Sequence, residues 1–128
     1  MANIEPNESQ MTTLLAAAAD NDAPVVMVNL LQFKPGGDED YHRYAKEVQP
    51  FLESAGAVVL YAGDASHVVA GDIDKPWWDA IIVVRYPSRA AFIAMASNPD
   101  YHANAHVHRV AALESTHLIA TDPWKVGS

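Results

Sequence analysis

Val25-Val26-Met27-Val28-Asn29-Leu30-Leu31-Gln32-Phe33 is a run rich in Val and Leu that Lys34-Pro35-Gly36-Gly37 brings to a stop, the pattern of a β-strand closed by a turn. Side chains alternate across a strand, so one face carries Val25, Met27, Asn29, Leu31 and Phe33 and the other Val26, Val28, Leu30 and Gln32. Both faces are mostly apolar, and such a strand needs cover on two sides. The run Ala80-Ile81-Ile82-Val83-Val84-Arg85-Tyr86 has the same property, with Ile81 and Val83 on one side and Ile82 and Val84 on the other, and Pro87 ends it.

Between these strands, Asp38 is placed to cap a helix whose stripe of Tyr41, Tyr44, Ala45, Val48, Leu52 and Ala55 follows the spacing of a buried face. Gly56 ends it, and Pro50 predicts a kink around Lys46 to Pro50. A second β region is expected over Ala57–Ala62, resuming at His67–Ala70 after a bend at Gly63-Asp64, as a bulged strand or a hairpin. Ser88 caps a helix bearing Ala91, Phe92 and Met95, Asn98-Pro99 starts another, and Thr116–Thr121 is the last strand. The order strand, helix, strand, strand, helix, strand reads as α+β: a ferredoxin-like βαββαβ sandwich with helices on one face of an antiparallel sheet. That leaves the other sheet face open although it is apolar. A second copy of the chain is the simplest cover, because a two-fold axis makes one patch complementary to itself. Met11 to Ala19 predicts an added helix that stops before Pro24. The expected organisation is an N-terminal helical extension (1–23), one ferredoxin-like domain (24–122) and a tail (123–128).

The chain has 128 residues, half of them hydrophobic and 19% charged, so it can form a core without disulfides. It has no cysteine, which excludes thiolate catalysis, iron–sulfur ligation and cysteine-based zinc sites. Its net charge of −8 works against nucleic acid and anionic membranes as partners. Glu5 and Glu8 stand where a secretory signal would carry basic residues, and Leu14 to Ala19 is too short for a signal core. No apolar run approaches the ~18 residues that span a bilayer. A cytoplasmic protein is expected.

Val26-Met27-Val28-Asn29-Leu30-Leu31-Gln32-Phe33, Tyr41-x-x-Tyr44 with Pro50, Tyr86-Pro87-Ser88 before a helix, and Tyr101 followed by Arg109 together resemble the domain-of-unknown-function family thirteen-thirty of the dimeric α/β-barrel superfamily. The resemblance covers about Pro24 to Thr121. It implies a ferredoxin-like protomer and a barrel made by two sheets face to face, but no function. The wider superfamily includes monooxygenases that act on electron-rich phenols or haem without a separate flavin or metal. In its haem-degrading branch an Asn on the first strand, a Trp near the third and a His on the last helix work together. Asn29, Trp78 and His102 or His106 occupy comparable elements here, within different local motifs.

Several residues carry chemistry in their own right. Asn29 is an amide in an apolar strand, so it either bonds to backbone or water or meets a ligand. His102 and His106 stand four apart, a spacing that can serve one metal, and Arg109 shares their flank. Counted at 100° per residue they lie off the apolar line Ala103, Val107 and Val110, on a solvated flank. With no third ligand identifiable and a cation alongside, no metal is expected. Arg85 shares parity with Ile81 and Val83, and either meets an anion or closes a strand-end salt bridge. Trp77-Trp78 could wall a pocket, but paired aromatics also suit a dimer interface. The candidate ligand-binding set is Asn29, Tyr44, Trp78, Arg85, His106 and Arg109, with no cofactor expected. The functional expectation is a dimeric small-molecule-binding protein with a pocket between sheet and helices. By analogy it would be a cofactor-independent oxygenase- or isomerase-like enzyme on a small aromatic or carboxylate substrate. A non-catalytic ligand-binding or assembly module is the alternative.

Overall fold

A computed structural model describes residues 4–72 and 78–124. Among these residues four strands, β1 (Val25–Phe33), β2 (Val58–Asp64), β3 (Ala80–Tyr86) and β4 (Leu113–Thr121), form one sheet in the order β2-β3-β1-β4. Every pairing is antiparallel. The helices are α1 (Glu8–Asp20), α2 (Gly37–Glu47), α3 (Gln49–Ala55), α4 (Arg89–Ala96), α5 (Pro99–Tyr101) and α6 (Val107–Ala112), with a π-helical turn, His102–His106, joining the last two. This is the ferredoxin-like α+β arrangement, extended by α1, which packs on α4.

β1 and β3 have the bounds that their composition predicts, and the register pairs Met27 with Val84 and Asn29 with Ile82. Val25 and Met27 are buried with Val84 and Tyr86 beneath the helices, where they meet Leu52, Phe92, Met95, Tyr101 and Ala105, and Leu31 is buried in a neighbouring cluster with Tyr41, Ala80, Ala112 and Leu113. Ser88 caps α4 by accepting from the Ala91 N–H, and Asn98 caps α5 by accepting from the Asp100 N–H.

Other local expectations are corrected. β2 is one strand, and Gly63 and Asp64 stay in its ladder opposite Ile81 and Ala80. The irregularity lies earlier, between Val59 and Tyr61. The space that a side chain at Gly63 would need is filled by the Tyr61 ring, so this glycine makes room rather than a bend. His67–Ala70 is not a strand. β4 starts at Leu113, three residues early, because Leu113 pairs with Phe33 and is wholly buried.

Asp38 is not the cap of α2. Gly36, in the left-handed region at φ 75°, leads directly into a helix that starts at Gly37. Any side chain at Gly37 would collide with the Ala112 carbonyl. Asp38, Glu39 and Asp40 instead supply negative charge to the first turn. Pro50 does not kink a continuous helix. The chain breaks at Val48 and Pro50 sits in the first turn of α3, where its missing N–H costs nothing. Of the expected stripe, Tyr41, Val48 and Leu52 are buried and Ala45 is exposed. α1 begins at Glu8, before the predicted Met11, through a capping box between Asn7 and Gln10.

The far face of the sheet carries Val26, Val28, Leu30, Ile81 and Val83, half-buried, with Tyr61 and Ile119 exposed. Among the described residues no helix is long and apolar enough to cross a membrane.

Candidate functional site

On the helix-covered face of β1 the side chains of Val25, Met27 and Leu31 complete the core, and Asn29 interrupts them. Its amide nitrogen donates to the Ile82 carbonyl at 3.3 Å, and the side chain also borders a cavity of about 270 Å³. The backbone bond and the cavity border thus belong to the same side chain. Tyr44 from α2 and Tyr101, His102, His106 and Arg109 from the last helical stretch form the other walls. Ile4, Glu5 and Pro6 close one side and also border a wider groove of about 900 Å³ beneath α1.

The helical stretch presents the opposite face to the one expected. His106 and Arg109 are buried, whereas Val107 and Val110 are exposed. The π turn over His102–His106 is the cause, because it absorbs one extra residue into a single turn. Under uniform α-helical rotation Arg109 would stand about 80° from Tyr101; with one residue absorbed it falls within about 20°. Tyr101, Ala105, His106 and Arg109 are all buried along this stretch.

The polar contacts in the cavity are few and specific. The Tyr44 and Tyr101 hydroxyls lie 3.0 Å apart. His106 Nε2 meets Glu5 Oε1 at 2.8 Å, and His106 Nδ1 is buried without a partner among the described residues. His102 Nε2 lies 2.6 Å from the Ala96 carbonyl. Arg109, 5% exposed, donates through Nη1 to the Ile4 carbonyl at 3.2 Å and through Nη2 to Thr116 Oγ1 at 3.5 Å. Among the described residues it forms no ion pair.

Burial sets the proton affinities. Desolvation pushes the Tyr41 phenol up to about 12, with nearby Arg109 pulling the other way. It raises Tyr101 as well and holds Tyr44 well above the ordinary phenol value. His106 is lowered, first by burial, while its hydrogen bond to Glu5 opposes the shift. The phenols are therefore neutral donors at neutral pH.

Asn29, Tyr44, His106 and Arg109 converge on one cavity. Trp78 and Arg85 do not join them. Trp78 packs edge-on against His117 with ring centroids 5.1 Å apart, and His117 shares the open sheet face with Leu30. Arg85 is exposed on that face, with no salt bridge among the described residues. The Asn, Trp and His trio drawn from the haem-degrading branch is thus split across the sheet. Trp77 lies outside the described residues. Sequence reasoning left out Glu5, which reaches His106 from 101 positions away; no local pattern links the two. It also left the buried Tyr41 beside Arg109 in the core stripe alone.

The chain matches the model of a domain of unknown function, DUF1330, over residues 29–122. No curated protein matches it. Among solved structures it resembles RPA0582, a protein of unknown function from Rhodopseudomonas palustris. The identity is 30%, the TM-score 0.85, and the match covers 98% of this chain and 99% of the other. The methylated form of RPA0582 gives 31% identity and a TM-score of 0.87, covering 99% and 98% of the two chains. Two more distant likenesses show the fold alone. One is a Bacteroides thetaiotaomicron protein that carries the name of an antibiotic biosynthesis monooxygenase (20% identity, TM-score 0.58, 83% and 94% covered). The other is a dimeric protein of unknown function and ferredoxin-like fold from Bacteroides fragilis (10% identity, TM-score 0.55, 78% and 96% covered).

Proposed function

This chain belongs to the DUF1330 family of domains of unknown function, and on that premise we propose that it is a homodimeric binding protein for a small carboxylate, held in the cavity between Asn29 and Arg109. The observation that carries the proposal is Arg109. Among the described residues this guanidinium, 5% exposed, meets the Ile4 carbonyl, a distant Thr116 hydroxyl and the Tyr41 phenol but no carboxylate; it retains much of its desolvation cost, and an anion offsets it through charge-assisted hydrogen bonds. The cavity, about 270 Å³, lies just below the ~300–1,000 Å³ of drug-sized pockets and so favours a small molecule. Tyr44 and Tyr101 add flat aromatic walls, which favour an aromatic carboxylate.

The apolar open face is the proposed dimer contact, supported by the dimeric state of the Bacteroides fragilis relative of like fold. Turnover of the ligand, in an oxygenase- or isomerase-like reaction without an organic cofactor, is the finer reading. The fold shared with the monooxygenase-named protein supports it by analogy, and a non-catalytic ligand-binding or assembly module is its alternative. The proposed compartment is the cytoplasm, and the charge of −8 argues against nucleic acid and membrane partners.

Calorimetric titration with benzoate, para-hydroxybenzoate and the neutral analogue benzamide, in the presence of a chelator, tests the binding reading. Either carboxylate should bind and benzamide should bind at least ~10-fold more weakly, with Arg109→Met removing the preference and Arg109→Lys keeping part of it. Equal affinity for the carboxylates and benzamide would overturn it. Mass analysis of a bound probe after aerobic incubation separates turnover from simple binding.

A further inference from the structure

We propose that Glu5, His102 and His106 form a binding site for one first-row divalent cation of the zinc or ferrous-iron class. One ligand atom from each residue lies within 4.8 Å of the others. An ion with bonds near 2.1 Å holds its donors roughly 3–4 Å apart, so a small rearrangement of the exposed Glu5 and His102 side chains about the buried His106 suffices. The sequence lacks an evident third ligand for the His102–His106 pair; Glu5, delivered by the N-terminal segment, supplies it.

A second observation concerns His102. Its Nε2 lies 2.6 Å from the Ala96 carbonyl. Metal-ligating histidines are oriented in this way, one ring N–H donating to a backbone carbonyl so that the other nitrogen presents its lone pair. The π turn contributes as well, because it spans His102–His106 and brings His106 to the cavity wall while His102 stays exposed. Two imidazoles and one carboxylate select zinc or ferrous iron over magnesium and calcium, which prefer all-oxygen shells. All three residues border the cavity, so the remaining coordination positions open into it.

Arg109 also faces this cavity, and its charge opposes a cation. One N–H on each of its Nη atoms, however, is turned to Ile4 and Thr116, and among the described residues others stay free for an anion. A divalent ion with one carboxylate leaves a net positive site next to the guanidinium, and such a site demands an anion as a further ligand. The inference goes beyond the carboxylate-binding reading and does not require it. With the cation bound, His106 is a ligand and is not available as a proton acceptor.

The test uses full-length protein without a polyhistidine tag, stripped with chelator and titrated with cobalt(II) and then zinc(II) alone, with no organic ligand. One cation per chain should bind, with visible cobalt bands that zinc abolishes and a rise in melting temperature. Glu5→Gln and His102→Gln are exposed substitutions and should fold. Each should weaken binding by at least the ~10–100-fold that loss of even an outer-shell partner costs, whereas His42→Gln, on the exposed side of α2, should change nothing. Failure of the wild type to bind at micromolar concentration, or equal binding by the Glu5→Gln/His102→Gln double variant, would show that the Glu5 contact is only a latch for the N-terminal segment. Because the carboxylate titration runs in chelator, the two proposals fail independently.

Discussion

The hydroxyl oxygens of Tyr44 and Tyr101 lie 3.0 Å apart at the cavity wall, each giving the other a hydrogen-bond partner. Tyr44→Phe leaves the Tyr101 hydroxyl unpaired, and the expected cost is about 1–2 kcal/mol. Adding Tyr101→Phe should cost little more or recover part of the loss, because the orphan group is then gone. Denaturant unfolding of both single variants and the double variant reads this directly. Strictly additive losses would show that the two hydroxyls do not act as a pair.

Alkaline pH should destabilise the fold over a defined window. Tyr41 has its phenol raised from 10.0 to about 12, so the folded protein keeps the proton that the unfolded chain releases. That contribution is fully present below pH 10 and is lost as the pH rises toward 12. Each buried phenol that behaves this way gives a slope of about 1.4 kcal/mol per pH unit. Tyr41→Phe should flatten the slope by one such increment. Denaturation curves at a series of pH values check it, and an unchanged slope would contradict the assignment.

The open sheet face gives a test of self-association. Val28 sits at the centre of β1 on that face, half-buried in the protomer and flanked by Val83 and Ile119. Val28→Glu puts a charge in the middle of the proposed contact without touching the helix-covered core. Sedimentation equilibrium should show a dimer for the wild type and a monomer for the variant at micromolar concentration. A monomeric wild type would remove the basis for a shared sheet.

Asn29→Leu separates the two duties of that amide. The bond to Ile82 is long at 3.3 Å, so its loss should leave the melting temperature unchanged or raise it. Benzoate affinity should fall about tenfold, the worth of one good hydrogen bond. Lower stability with unaltered affinity would assign Asn29 to the scaffold.

Much of the architecture was legible in the chain because it rests on short-range rules. The two-sided apolar alternation of β1 and β3 gave both strands to the residue, the caps at Ser88 and Asn98 fixed two helix starts, and Asn29 could be placed on its face. Those features depend on neighbours two to four residues apart, which sequence displays directly. Misreadings arose wherever a distant partner set the outcome. Gly63-Asp64 has the local pattern of a bend, and the Tyr61 ring that fills the space beside Gly63 is a feature of the folded strand alone.

The candidate site belongs mostly to the tertiary structure. A count of 100° per residue put His106 and Arg109 in solvent, and the π turn, formed where the helix packs against the core, turned both inward. Glu5 reaches His106 across 101 positions and Ile4 reaches Arg109 across 105. Sequence determined which strands form and which side chains could carry chemistry, since periodicity and capping are local. Only the folded chain decided which of those side chains meet, because the N-terminal segment, α2, the π turn and β1 come together through long-range packing that no local pattern encodes.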